Sequence, residues 1–429
     1  MSDKKAIGLW SAISIGVGGM VGAGIFSILG TACQIGGNAV YLSFIIAGIV
    51  ALFSVYSYAK LGVKYPSAGG PVEFLVRSYG SGITSGGFNI LLWLGYILAL
   101  SLYTRAFAAY ALTFFPIAPP ILLNIFATGI ILLFVLINFI GSKAVGRSEL
   151  FIVTVKVGIL ILFTIVGFFF IKPELLSSSE FPPISNVFFA AAIVFLAYEG
   201  FGLITNAAED MENPRKILPW SLYLSVFIVI LLYVGVSLVV TGNLPLQGII
   251  KAKDYALAEA ARPFLGLVGF KIMAIAALFS TSSAINATLY GGANVSYMIA
   301  KEGELPKYFE RKIWKRGTEG LFITAGLVTL FANLFDLGGI AMLGSASFLL
   351  IYAAVNIGHL KLYKETGANR GLIWLAILSC LSVFIVLVYY LLFHSILTLA
   401  VLGILLLSSF SIEWLYRKAT YRTLKTRSN

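Results

Sequence analysis

Runs of eighteen or more predominantly apolar residues recur along the whole of this 429-residue chain. Each is long enough to cross a bilayer as an α-helix, because a hydrocarbon core of about 30 Å needs about 20 helical residues. Charged residues make up only 11% of the chain and the mean hydropathy is +0.96. A soluble domain carries roughly a quarter charged residues. The sequence therefore predicts an all-α polytopic membrane protein. Its formal charge of +12 does not point to nucleic acid, because the basic residues fall in short segments between the apolar runs.

Twelve spans are expected: 8–33, 39–62, 83–114, 121–141, 149–171, 187–209, 216–241, 262–300, 320–335, 338–363, 371–392 and 394–416. With the N-terminus in the cytoplasm, twenty-three of the thirty Lys and Arg residues fall on the cytoplasmic side. Four fall outside (Lys172, Lys251, Lys253 and Arg262), and Arg105, Lys156 and Lys271 lie within spans. Such asymmetry is the positive-inside pattern, and it places both termini inside an inner or plasma membrane. Arg105 and Lys271, toward the outer ends of their spans, are expected to snorkel. Two cysteines, Cys33 and Cys380, and two solitary histidines, His359 and His394, supply neither a disulfide framework nor a metal site. No cleavage-site pattern follows the first span, so it is expected to be retained.

The first span contains "SIGVGGMVGAGIFSILG", and five of its residues 16–24 are glycine. Glycine weakens a helix by about 0.8–1 kcal/mol relative to alanine. Small residues allow helices to pack closely. Alternatively the helix is interrupted, which at mid-membrane is tolerated only where the backbone is buried in protein or lines a cavity. The sixth span favours the second reading. It runs "FLAYEGFGLITNAAEDMENP", with Gly200 and Gly202 around Phe201 and the ionisable Glu199 at similar depth. Glycine-interrupted segments at matching places in two halves point to an inverted-repeat transporter with its site at the repeat interface. Half-helix amides there suit a carboxylate, and free carbonyls suit an ammonium or a cation.

At these residues the chain resembles the amino acid–polyamine–organocation (APC) transporter superfamily. The likeness rests on "GAGIF" (residues 22–26), "AYEGF" (197–201) and "EDMENPRKILP" (209–219), in order and in the expected spans. Asn213-Pro214 opens the next helix, a position that suits proline. The closest likeness is to the proton-coupled, ApcT-like branch, carried by "NFIGSKAVGRSELFIVTVKVGIL" (138–160) and "ALFSTSSAINATLYGGANVSYMIAKEGELP" (277–306). The resemblance implies a LeuT-like fold of five plus five inverted helices, with helices 1 and 6 discontinuous and two accessory helices. Residues 1–172 would form the first repeat, 173–364 the second, and 365–429 the accessory helices with a basic tail.

The resemblance also implies roles. Gly22, Ala23 and Gly24 would supply amides to the substrate carboxylate. Carbonyls near Met20 and in the span-6 break (Phe195, Leu196, Tyr198 and Glu199) would receive its ammonium, and Phe201 stands where an external aromatic gate is placed. Glu199 is open to three readings: a second protonation site, a specificity element or a neutral hydrogen-bonding acid. Lys156 aligns with a lysine that replaces the sodium ion of related carriers, meeting the carbonyl region of Gly18 and the hydroxyls of Ser282 or Ser283. From the residues alone Lys156 could instead reach back to the interface. Buried in a bundle, it loses the hydration that favours its charged form and can exchange a proton.

The function implied is proton-coupled uptake of amino acids with broad specificity by alternating access. Its partners are L-amino acids and the bilayer, with no nucleic acid and no cofactor beyond the proton, and the protein acts as a monomer or homodimer. A sodium symporter or an amino acid exchanger of the same fold is the nearest alternative. An intramembrane enzyme is the rival from another class. Gly-x-Ser-x-Gly and His-Glu-x-x-His patterns are absent, which argues against it.

Overall fold

The computed structural model describes residues 7–22, 24–115, 117, 119–140, 145–302, 312–313 and 317–420. Ala23, the lysines at 4 and 5, the basic residues within 303–311 and 314–316, and the end of the basic tail from 421 lie outside the described residues. The chain is helical almost throughout. Two two-residue strands, β1 (Lys312–Ile313) and β2 (Gly317–Thr318), pair antiparallel between two helices.

The described helices are α1 (Leu9–Val21), α2 (Gly24–Gly36), α3 (Val40–Lys64), α4 (Pro71–Tyr79), α5 (Ile83–Leu112), α6 (Ile121–Ile140) and α7 (Val145–Phe168). They continue with α8 (Ile184–Val194), α9 (Gly202–Thr205), α10 (Pro214–Asn243), α11 (Leu246–Ala252), α12 (Ala256–Glu259) and α13 (Arg262–Glu302). The last four are α14 (Glu319–Leu334), α15 (Leu337–Thr366), α16 (Arg370–His394) and α17 (Ile396–Thr420).

Ten helical stretches among the described residues are long and apolar enough to cross a membrane. The first, Leu9–Lys64, holds both expected spans 1 and 2, which turn into each other at Gly37, where φ is +56°. Expected span 9 is α14, only sixteen residues long. The others coincide with expected spans to within a few residues.

Burial sorts these helices into an interior and a shell. The apolar window of Ile83–Leu112 is 83% buried and that of Leu337–Thr366 is 89% buried. Windows on α6, α7, α16 and α17 are only 22–33% buried. Leu132, Leu162, Phe168, Leu397 and Leu407 stand exposed on that shell. So large a continuous apolar surface requires a lipid environment.

In span 1, α1 ends at Val21 with Gly22 still at helical angles (φ −51°, ψ −52°), α2 is described from Gly24, and Ala23 between them lies outside the described residues. In span 6, Phe195–Phe201 is a 3₁₀ helix between α8 and α9. Here the structure corrects the expectation of an unwound stretch. The backbone is wound more tightly and remains largely hydrogen-bonded within itself, as suits a buried segment with no water.

The glycines serve close packing at the same time, so the two readings of span 1 combine. A Cβ on Gly200 would lie 2.5 Å from the carbonyl carbon of Gly19, backbone against backbone. One on Gly22 would lie 2.6 Å from Ala284 Cβ. Glycine is required because the two broken segments touch where a side chain would stand. Residues 7 and 210–212 tie the start of span 1 to the end of span 6. Ile7 donates its amide to Asp210 O (2.7 Å) and accepts from the Glu212 amide (3.3 Å).

At the opposite end, the segment from α11 to α12 rests on α2. The Lys253 carbonyl abuts Gly30, where any Cβ would collide with it. Lys253 Nζ meets Asp336 Oδ2 at 3.2 Å, and the same aspartate caps α15 by accepting from the Gly339 amide at 2.9 Å. Arg105 is half-buried near the C-terminal end of α5. Its guanidinium donates to Ala332 O at 2.8 Å, satisfying one of the last carbonyls of α14, which a helix C-terminus otherwise leaves bare.

Candidate functional site

The two interruptions meet in the interior, and tyrosine hydroxyls from surrounding helices occupy the carbonyls there. Tyr233 on α10 donates to Met20 O at 2.6 Å and reaches Ala197 O at 3.2 Å, so one phenol bridges both breaks. Tyr352 on α15 donates to Glu199 O at 2.7 Å. Ser280 on α13 donates to Val21 O (3.0 Å) and Gly22 O (2.6 Å). Met20 and Glu199 lie where the two segments touch, and the Glu199 carbonyl accepts from both the Tyr352 hydroxyl and the Gly202 amide.

Gly24 opens α2 against Ala197 and Tyr233. The first turn of a helix has amides without intrahelical partners, and these, with the positive end of the dipole, favour an anion. Leu196 is buried against Gly344 of α15. Phe195 packs edge-on to Tyr352, with ring centroids 5.7 Å apart. Tyr198 turns away from the breaks, its hydroxyl donating to Phe44 O on α3 at 2.9 Å. Its ring packs 5.3 Å from that of Tyr233.

Phe201 is wholly buried, 5.2 Å from the Tyr58 ring and 5.0 Å from the Tyr352 ring. Tyr58 also meets Phe74 of α4. The phenyl ring therefore belongs to a packed aromatic cluster beside the Lys60–Lys64 end of α3.

Lys156 is 1% exposed, and its Nζ donates to Gly18 O at 2.9 Å. The lysine turns inward, so the interfacial reading does not describe it. The bond joins α7 to α1 one turn before the break. Ser283 on α13 is buried and Ser282 half-buried, on a helix that packs against both α7 and α1. Ser280, which sequence reasoning did not single out, holds carbonyls at the end of α1 through its hydroxyl.

Tyr103, Tyr233 and Tyr352 were also missed. A tyrosine inside an apolar helix resembles core, but a buried phenol needs a hydrogen-bond partner, and that requirement was the available signal. Among the described residues no group of three or more His, Cys, Asp or Glu could hold a metal ion.

Comparison with known proteins agrees with this geometry. The profile of the family described as amino acid permease matches residues 7–408. An uncharacterized protein of Methanocaldococcus jannaschii is 45% identical over 98% of this chain and 97% of its own length. The inner membrane transport protein YbaT of Escherichia coli is 37% identical, covering 90% of this chain and 91% of its own. A methylthioribose transporter of Bacillus subtilis is 29% identical over 85% of this chain and 82% of its own. A chain matched almost end to end by this profile and by such relatives belongs to the amino acid permease family of the APC superfamily.

Proposed function

We propose that this permease takes up α-amino acids with broad specificity, driven by protons, with Lys156 as the group that couples proton to conformation. The observation that carries the reading is the buried Lys156 ammonium on the Gly18 carbonyl at 2.9 Å. Protonated, the lysine ties α7 to α1 beside the break. Deprotonated, it cannot donate with the same strength, since a charged donor forms the stronger bond, and α1 is freed to move. The substrate carboxylate is held by the amides at the start of α2, and its ammonium by carbonyls at Met20 and in Phe195–Phe201. These are backbone contacts common to every α-amino acid, which supports broad specificity. Cytoplasmic termini follow from the basic-residue asymmetry.

The test is uptake of labelled amino acids into proteoliposomes under an inward proton gradient, with and without sodium, for the wild type and Lys156→Met. The wild type is expected to respond to the gradient and not to sodium, and the variant to lose the response. A Lys156→Met protein retaining full gradient-driven uptake would falsify the coupling role. Uptake that follows sodium would instead make it a sodium symporter.

A further inference from the structure

Glu199 is a second ionisable group inside the bundle, and the coupling scheme above does not use it. It is 2% exposed, and Oε1 accepts a single hydrogen bond, from Tyr103 Oη at 3.3 Å. None of the ion pairs among the described residues includes it. What surrounds it is aromatic. Tyr58, Tyr96 and Tyr352 lie within electrostatic reach of the carboxyl, and Tyr352 also fixes the Glu199 backbone carbonyl. The rings close on one another, with Tyr58 to Tyr352 at 5.2 Å, Tyr352 to Phe348 at 6.0 Å and Phe348 to Tyr96 at 5.8 Å. The Tyr58 hydroxyl is buried without a hydrogen-bond partner.

A carboxylate with one neutral donor and no cation is an expensive group to bury. Such a group holds a proton while the site is empty and ionises where a positive charge arrives beside it, and aromatic faces attract organic cations in the same place. The charge balance says which cargo fits. The α-carboxylate and α-ammonium of an amino acid cancel each other and are met by backbone amides and carbonyls at the two breaks. The Glu199 charge then calls for one further positive charge on the ligand. We infer that Glu199 receives the cationic side chain of a basic amino acid, so that cargo of net charge +1 (arginine, lysine or ornithine) is preferred over uncharged isosteres. Tyr103 positions the carboxylate, and the phenol of Tyr58 offers an acceptor to a donor-rich ammonium or guanidinium. This rests on the amino acid transport reading above and adds the preferred substrate class.

The experiment compares L-arginine with L-citrulline, its near-isostere without the charge, as competitors of uptake in proteoliposomes and as ligands in thermal-shift titrations of the purified protein. In the wild type arginine is expected to bind at least about ten-fold more tightly, the scale of one hydrogen bond to a charged group. In Glu199→Gln the arginine-to-citrulline ratio is expected to fall toward one. Equal or tighter binding of citrulline by the wild type overturns the inference and leaves amino acid transport standing. So does an arginine preference that survives undiminished in Glu199→Gln. Should that variant fail to fold, the wild-type ratio alone decides. If no amino acid binds at all, the transport reading falls and this one with it.

Discussion

Replacing Gly200 by alanine tests whether contact between the two broken segments holds the site together. The new methyl carbon would lie 2.5 Å from the Gly19 carbonyl carbon and 2.6 Å from the Met20 amide nitrogen. Carbon atoms rest about 3.5–4.0 Å apart, so the two backbones must part by about 1 Å. No side chain can rotate to relieve the clash, since both neighbours are main chain. Tyr233 bridges Met20 O at 2.6 Å and Ala197 O at 3.2 Å. Separation by about 1 Å takes one of those acceptors beyond hydrogen-bonding range. Overpacking at about 1–3 kcal/mol and one lost hydrogen bond at about 0.5–1.5 kcal/mol give a total of about 2–4 kcal/mol.

That is the expected loss of fold stability, and displacement of the two backbones is expected to weaken apparent substrate affinity in the same direction. The assay is uptake by proteoliposomes across substrate concentrations, together with the melting temperature of purified protein. Gly202→Ala is the internal control. Its nearest neighbour would be the Tyr352 hydroxyl at 3.7 Å, an ordinary contact, and alanine there is expected to be neutral or slightly stabilising. If Gly200→Ala and Gly202→Ala behave alike, the packing argument is wrong.

Three further expectations follow from residues at the ends of the helices. Asp336→Ala removes the α15 cap and is expected to lower stability by about 0.5–2 kcal/mol at neutral pH. Burial alone would raise the Asp336 carboxyl, but the Gly339 amide and then Lys253 and Arg105 outweigh it and hold the carboxyl below its ordinary value. Its contribution is therefore present above about pH 4 and lost as pH falls through the lower folded value. Melting temperatures of wild type and variant should converge in acid, and a constant gap down to pH 3 would contradict this.

Asp254 has the opposite sign. Burial pushes its carboxyl up, against the partial opposition of Lys253 and Arg105. Stability is forfeited as pH rises above about 4, so Asp254→Asn is expected to melt no lower than wild type at neutral pH. Arg105→Met uncaps α14 at Ala332, with an expected loss of about 1–2 kcal/mol. A melting temperature within error of wild type would show the bond to be dispensable.

Much of this fold was legible because a bilayer permits so few solutions. Apolar runs of the right length marked the spans, and the glycines of residues 16–24 surround the place where α1 ends, at Val21. The form of the second break was not legible. The residues "FLAYEGF" are compatible with an open strand or a 3₁₀ turn, and the choice is made by partners distant in sequence, Tyr233 and Tyr352. Lys156 meeting Gly18 rested on resemblance, since periodicity alone leaves a lysine free to reach the interface. The bond from Arg105 to Ala332 was not legible, because nothing local announces that the end of α14 needs its donor. Phe201 was assigned by position in a motif. The rings that enclose it come from α3 and α15, which no local reading of span 6 could supply.

The tightly wound segment in the sixth span carries a consequence for movement. Seven residues at a 3₁₀ rise of about 2.0 Å extend about 14 Å, whereas the same seven as α-helix extend about 10.5 Å. Relaxing Phe195–Phe201 into the wider coil would draw α8 and α9 together by about 3.5 Å and swing each following side chain round the axis. The span can thus shorten like a spring, with no peptide group ever exposed to hydrocarbon.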